Sequence, residues 1–219
     1  MITTPFVPWP DGLELVLASG SPRRAELLRV AGIPFMVAPA PEVEHVHAAA
    51  AAPLRADPPR YAAALAEAKA AAIAARLPGR LVLGADTIVI LGGEILEKPA
   101  DPDDAARLLG RLAGRSHLVH TGLALLGGPA AARLIATETT RVEFLPLTAA
   151  AIRRYVATGE PLDKAGAYGI QGYGALMIRR VEGCYFNVMG LPLARLGELL
   201  RAALATGRAD GRPDEGSAA

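Results

Sequence analysis

Residues Leu81–Leu91 read Leu-Val-Leu-Gly-Ala-Asp-Thr-Ile-Val-Ile-Leu, and this run constrains the fold more than any other part of the chain. It is rich in Val and Ile, too short for a membrane-spanning helix, and nearly all apolar, so it reads as a buried strand. Gly92-Gly93 follows as a tight turn into Glu94-Ile95-Leu96, which makes a hairpin. One residue breaks the pattern. Asp86 sits in mid-strand, where an uncompensated carboxylate costs several kcal/mol, roughly 3–5 when a buried partner is removed. A metal, a lysine or a water to be deprotonated would each compensate it, and so would backbone amides at a strand end.

Around this strand the chain alternates irregularly between strand and helix patterns. Leu13–Ala18 and Phe35–Ala38 read as short strands. Between them Ser21-Pro22 opens a helix, with Ala25, Leu27, Leu28 and Ala31 as its buried face and Gly32 as its stop. Residues 39–59 read as loop and Tyr61–Leu77 as helix, stopped by Pro78-Gly79. Asp101–Leu112 is a helix whose Asp101, Asp103 and Asp104 complement the dipole at its start. Leu118–Leu126 and Leu134–Phe144 are strands joined through Gly127-Gly128, and Thr148–Thr158 is a helix. A glycine-rich loop spans 159–174, then strands at Ala175–Arg180 and Cys184–Val188, and a final helix at Pro192–Ala205. Helices flanking a sheet with at least two hairpins make an α/β fold with a mixed β-sheet. Residues 1–12, with three prolines, read as an irregular extension, and 207–219 as a disordered tail.

Composition excludes several classes. Of 219 residues, 52% are hydrophobic and 21% charged, so a core forms and the chain as a whole is not disordered. Lys plus Arg is 23 against 22 for Asp plus Glu, and aromatics are 5%, which disfavours a nucleic-acid binder. The one cysteine, Cys184, excludes an internal disulfide framework and suits a reducing compartment. The longest stretch free of Asp, Glu, Lys and Arg, Ser116–Ala132, carries two histidines, glycines and a proline, and is not a membrane span. Met1–Glu14 has no Lys or Arg, unlike a secretory signal. The expectation is a cytoplasmic protein with no membrane partner. His45, His47, His117 and His120 show no metal-ligand spacing.

Three further segments carry candidate chemistry. Leu17-Ala18-Ser19-Gly20-Ser21-Pro22-Arg23-Arg24 runs from a strand through small residues into a helix start. Two arginines there oppose the helix dipole, which makes sense if an anion sits over the turn; the alternative is two solvated surface arginines. Glu97-Lys98-Pro99 follows the hairpin, and one lysine is by itself more often a surface residue. Residues 159–172 hold four glycines with Lys164 and Gln171, where Lys164 can neutralise phosphate and the Gln171 amide can read a base edge. That segment matches neither the dinucleotide fingerprint nor a Walker A loop, and it also reads as an ordinary long loop.

Together, Leu17–Leu28, Gly84–Pro99, Asp163–Gly172 and Val188–Leu193 resemble, in order and spacing, the Maf family of nucleoside triphosphate pyrophosphatases. The resemblance runs from about Leu15 to Leu200 within a single domain at 13–206. It implies an elongated mixed sheet flanked by helices, related to the inosine-triphosphatase group, with two lobes around a deep cleft. It implies cleavage between the α- and β-phosphates. Asp86 falls on the family's proton acceptor, and Lys98 joins it in the expected catalytic set. Ser19, Arg24, Lys69, Lys98 and Lys164 match positions that face the triphosphate. Arg23, Thr87 and Gln171 match the branch acting on dTTP and UTP, whereas a sister branch preferring 7-methyl-GTP has Trp, Gln and Glu there. Glu44 matches an acidic position near the metal, so Glu44 and Asp86 are the expected ligands of Mg²⁺ or Mn²⁺. A homodimer is expected. Arg24 and Lys98 are expected at exposed cleft positions. The alternative is a nucleotide-sensing or cell-division regulatory protein on the same fold, which would be free to lose Asp86.

Overall fold

The computed structural model describes residues 5–39 and 51–205. Glu44, His45, His47 and the expected tail at 207–219 lie outside them. In chain order the elements are β1 (Leu15–Leu17), α1 (Pro22–Val30), β2 (Phe35–Val37), α2 (Pro58–Arg76), β3 (Leu81–Leu91), β4 (Glu94–Leu96) and α3 (Pro102–Leu112). There follow β5 (Ser116–Gly127), β6 (Ala132–Phe144), α4 (Ala149–Val156), β7 (Ile178–Glu182), α5 (Tyr185–Val188) and α6 (Leu193–Ala205). Local chemistry accounts for the helix starts. Asp57 accepts from the Arg60 amide ahead of α2, Asp101 from Asp104 ahead of α3, and Thr148 from Ala151 ahead of α4. The Asp57 cap with Pro58 is why α2 begins three residues before the expected Tyr61. Ser21 holds the cap position of α1 but makes no side-chain cap bond.

The seven strands form one mixed sheet in the order β2-β1-β3-β5-β6-β7, with β4 also on β3. β1 is parallel to both β2 and β3; every other pair is antiparallel. Pairing of β3 with β5 runs from Leu81 to Ile90, so β1 and β4 share the other edge of β3. β1 reaches only to Leu83, and β4 covers only Val89–Leu91. From Gly84 to Ile88 no strand among the described residues lies beside that edge.

Helix α2 lies on one face of the sheet. Ala62, Leu65, Ala66, Ala70 and Ile73 face Val82, Ile88, Ile90 and Ala124. The opposite face carries two cores. One packs Leu27 and Leu28 of α1 and Leu196 and Leu200 of α6 against Leu15, Leu17, Leu81 and Leu83. The other packs Leu108, Leu109 and Leu112 of α3 and Ile152 of α4 against Val89, Leu91 and Phe144. At roughly 1.5–3 kcal/mol for each fully buried Leu or Ile, these layers are the main stabilising term.

Two expected strands differ. Residues Cys184–Val188 form no strand: Tyr185–Val188 is the helical turn α5. The Asn187 side chain is fully buried and donates to Val119 O at 3.0 Å and Thr140 Oγ1 at 2.9 Å, which ties the turn across the face of β5 and β6. The expected strand at Ala175–Arg180 begins only at Ile178, because residues Gly172–Met177 close into a 3₁₀ turn. Among the described residues, no helix is long and apolar enough to cross a membrane.

Candidate active site

A cleft of about 900 Å³ opens where the edge of β3 is bare. Its walls include Ser19, Arg23, Arg24, Lys69, Asp86, Thr87, Lys98, Lys164 and Gln171, which are all the described site residues expected from the sequence. Glu44 falls outside the described residues.

Asp86 and Lys69 meet because of two glycines. A Cβ on Gly84 would lie 2.1 Å from Ala66 O, and one on Gly122, the β5 partner of Asp86, 2.2 Å from Ala62 O. Only glycine lets the alanine-rich α2 settle this closely on the sheet. Asp86 lies two residues beyond Gly84, on the same face, and Lys69 lies within the same turns of α2. Lys69 Nζ donates to Asp86 Oδ1 at 2.7 Å, with side-chain exposures of 13% and 14%. The compensation that a mid-strand carboxylate requires is therefore a lysine.

Thr87 points to the other face, into a polar chain. Thr121 donates to Asn187 O at 3.1 Å, so the 2.9 Å contact between Thr87 and Thr121 must use the Thr87 proton. Toward the cleft, the Thr87 hydroxyl is therefore an acceptor, and Arg24 Nη2 donates to it at 3.2 Å. Arg24 also donates from Nη1 to Ser19 Oγ at 2.9 Å and from Nε to Gly190 O at 2.8 Å. The expected exposure of Arg24 is thus corrected: it is 9% exposed and fastens α1, β3 and the turn before α6 together. Lys98 is exposed and makes no hydrogen bond or ion pair among the described residues. The Gln171 side chain likewise makes no hydrogen bond among them.

Several lining residues were not singled out in the sequence. Asp163 accepts from Arg23 Nη1 at 2.9 Å and from Lys164 Nζ at 2.5 Å, joining the α1 start to the glycine-rich segment. Burial raises the Asp163 carboxyl, but those two cations outweigh it and hold it below the usual carboxylate range. Arg55 pairs with Glu97 at 2.6 Å and lies 5.3 Å over the Tyr61 ring. The signal for Asp163 was its place beside Lys164; Arg55 sits in an alanine-rich stretch with no signal. His117 is buried, its Nε2 2.8 Å from Tyr168 Oη, and burial pushes it down to about 4. No group of three or more His, Cys, Asp and Glu side chains among the described residues could hold a metal unaided.

Six cations, Arg23, Arg24, Arg55, Lys69, Lys98 and Lys164, against four carboxylates, Asp86, Glu97, Glu160 and Asp163, line an open cleft at the edge of a mixed sheet, an arrangement suited to a polyanion. The chain matches the family described as Maf-like protein over residues 14–203 and belongs to it. It is 54% identical over 189 residues to a dTTP/UTP pyrophosphatase of Symbiobacterium thermophilum, covering 85% of this chain and 92% of that protein. It is 49% identical over 192 residues to the dTTP/UTP pyrophosphatase of Koribacter versatilis, covering 88% and 95%. A third relative with that name, from Moorella thermoacetica, is 51% identical over 187 residues, covering 85% and 93%.

Proposed function

We propose that this chain is a nucleoside triphosphate pyrophosphatase that hydrolyses dTTP and UTP between the α- and β-phosphates, giving the nucleoside monophosphate and pyrophosphate. The observation that carries the reading is the pairing of Asp86 with Lys69 in a cleft that also holds Arg23, Arg24, Lys98 and Lys164. The names of three relatives covering more than four-fifths of the chain support the substrate. Lys98 and Lys164 neutralise phosphate oxygens, and Arg24 presents its guanidinium from a fixed position. Lys69 occupies Asp86 Oδ1, which leaves Oδ2 to take a proton from the attacking water. Gln171 pairs an amide donor and acceptor with the edge of a pyrimidine ring.

The site fits a divalent cation in the Mg²⁺ manner. Such an ion needs only one or two protein carboxylates, with phosphate oxygens and waters completing its shell. Asp86, with Glu44, would hold it, and when bound it would add charge neutralisation at the phosphates. The single cysteine supports a cytoplasmic compartment. The reading is tested by incubating the protein with dTTP, UTP, CTP, ATP and GTP, with Mg²⁺, Mn²⁺ or chelator, and resolving the products. Monophosphate plus pyrophosphate from dTTP and UTP is expected. Release of a diphosphate and phosphate, or no release, overturns it.

A further inference from the structure

We infer that Glu160 is a positioning residue that sets base selectivity by fixing the backbone on either side of Gln171. The inference rests on the pyrimidine reading above. Glu160 is not near the Asp86–Lys69 pair in sequence and has no role in that chemistry, yet it lines the same cleft. Its carboxylate lies inside the glycine-rich segment. Oε1 accepts from Tyr155 Oη at 2.9 Å and from the Gly174 amide at 3.1 Å, and Oε2 accepts from the Tyr173 amide at 3.0 Å. Tyr155 is buried in the core under α4, and its Oη also accepts from the Gly169 amide at 3.0 Å. The chain is therefore held at Gly169 on one side of Gln171 and at Tyr173 and Gly174 on the other. Gly172 has a φ of +72°, and a Cβ there would come within 2.5 Å of Glu160 Oε2, so the segment is shaped around this carboxylate.

The anchor is stiff where the reader is free. A short side chain such as Gln171 discriminates between base edges only if its backbone is held to within about 0.5 Å. Two chain anchors that meet at one core tyrosine supply that. The Glu160 main-chain oxygen also accepts from Lys164 Nζ at 2.5 Å, but a side-chain substitution leaves that bond in place. Base reading is thereby separable from phosphate binding.

The test compares wild type, Glu160→Ala and Glu160→Gln. Measured are kcat and KM for dTTP, UTP, GTP and ATP, binding of α,β-imido UTP and GTP, the melting temperature, and hydrogen exchange of amides 169–174. Expected for Glu160→Ala are faster exchange confined to 169–174 and a pyrimidine-to-purine ratio of kcat/KM lowered at least tenfold. Glu160→Gln keeps the acceptor for Tyr155 and restores part of the ratio. An equal loss on all four nucleotides, or unchanged exchange, overturns the inference. A wild type with no pyrimidine preference overturns the functional reading instead, and the exchange and analogue binding then decide the anchoring on their own.

Discussion

The contact between α2 and the sheet makes a quantitative prediction at Gly122. Its backbone is ordinary, so alanine is tolerated by the main chain and the effect is purely steric. The added Cβ would lie 2.2 Å from Ala62 O, 2.4 Å from Ala62 C and 2.5 Å from Ala63 N, all backbone atoms that no rotamer change can move. To reach ordinary contact, α2 must retreat by about 1 Å, and overpacking of this kind costs about 1–3 kcal/mol. The same retreat carries Lys69 away from Asp86, whose bond is 2.7 Å. Misplacing a reacting group by about 1 Å can cost about 10²-fold in rate. Gly122→Ala is therefore expected to lower the urea midpoint and also to lose about two orders of magnitude in pyrophosphate release. Gly110→Ala is the control. Gly110 lies in α3 with nothing within 4 Å of its would-be Cβ, and alanine there should gain about 0.5–1 kcal/mol with activity kept. A Gly122→Ala protein with wild-type midpoint and turnover would refute the argument that the glycines set the distance between helix and carboxylate.

Four further outcomes follow from the site. Asp86→Asn should lower turnover by at least about 10²-fold while nucleotide binding is kept; near-normal turnover removes Asp86 as the base. Arg24→Ala should lose both activity and stability, by about 1.5–3 kcal/mol for the buried charged hydrogen bonds it leaves, as read by urea unfolding. Lys98→Ala should raise KM or lower kcat with an unchanged urea midpoint, because nothing described is bonded to it. Burial holds His117 at about 4 against its usual 6.5, so the unfolded chain takes up the proton first; stability present above pH 6.5 falls as pH drops toward 4, by up to roughly 3 kcal/mol. His117→Gln should flatten that part of the pH profile of the urea midpoint.

What could be read in the sequence was what short-range chemistry writes there. The Leu81–Leu91 strand, the glycine hairpin and the acidic start of the helix at Asp101–Leu112 each follow from residues a few positions apart. Asp86 stood out because one carboxylate broke an apolar run, and the structure supplies its compensation as Lys69. That partner was not legible, since it depends on Gly84 and Gly122 admitting α2, and those glycines are 38 positions apart on two strands. The reading of Arg24 as exposed failed for a similar reason. Its partners Ser19, Thr87 and Gly190 come from three segments, and Gly190 is 166 residues away. The Cys184–Val188 segment has strand composition, but Asn187 makes long-range bonds to Val119 and Thr140 that a strand at the sheet edge would not permit.

The bare edge of β3 explains why consecutive residues can serve one site. Side chains at neighbouring strand positions point to opposite faces, so Asp86 and Thr87 would ordinarily be separated by the sheet itself. Here Asp86 turns to α2 and Lys69, while Thr87 turns to Arg24 and Thr121. Both line one cleft because β1 ends against Leu83 and β4 begins against Val89, leaving five residues of β3 with no strand among the described residues on that side. The segments leaving those two short strands, a loop and the first turn of α1 after β1 and a loop after β4, carry Ser19, Arg23 and Arg24 on one side and Glu97 and Lys98 on the other. An anion entering the gap can thus be met by groups from both faces and both flanking loops. A full-length neighbour strand would fill the gap with its own backbone and leave Asp86 and Thr87 on opposite sides of a closed sheet. The shortness of β1 and β4 is accordingly as much a part of the site as the charged residues.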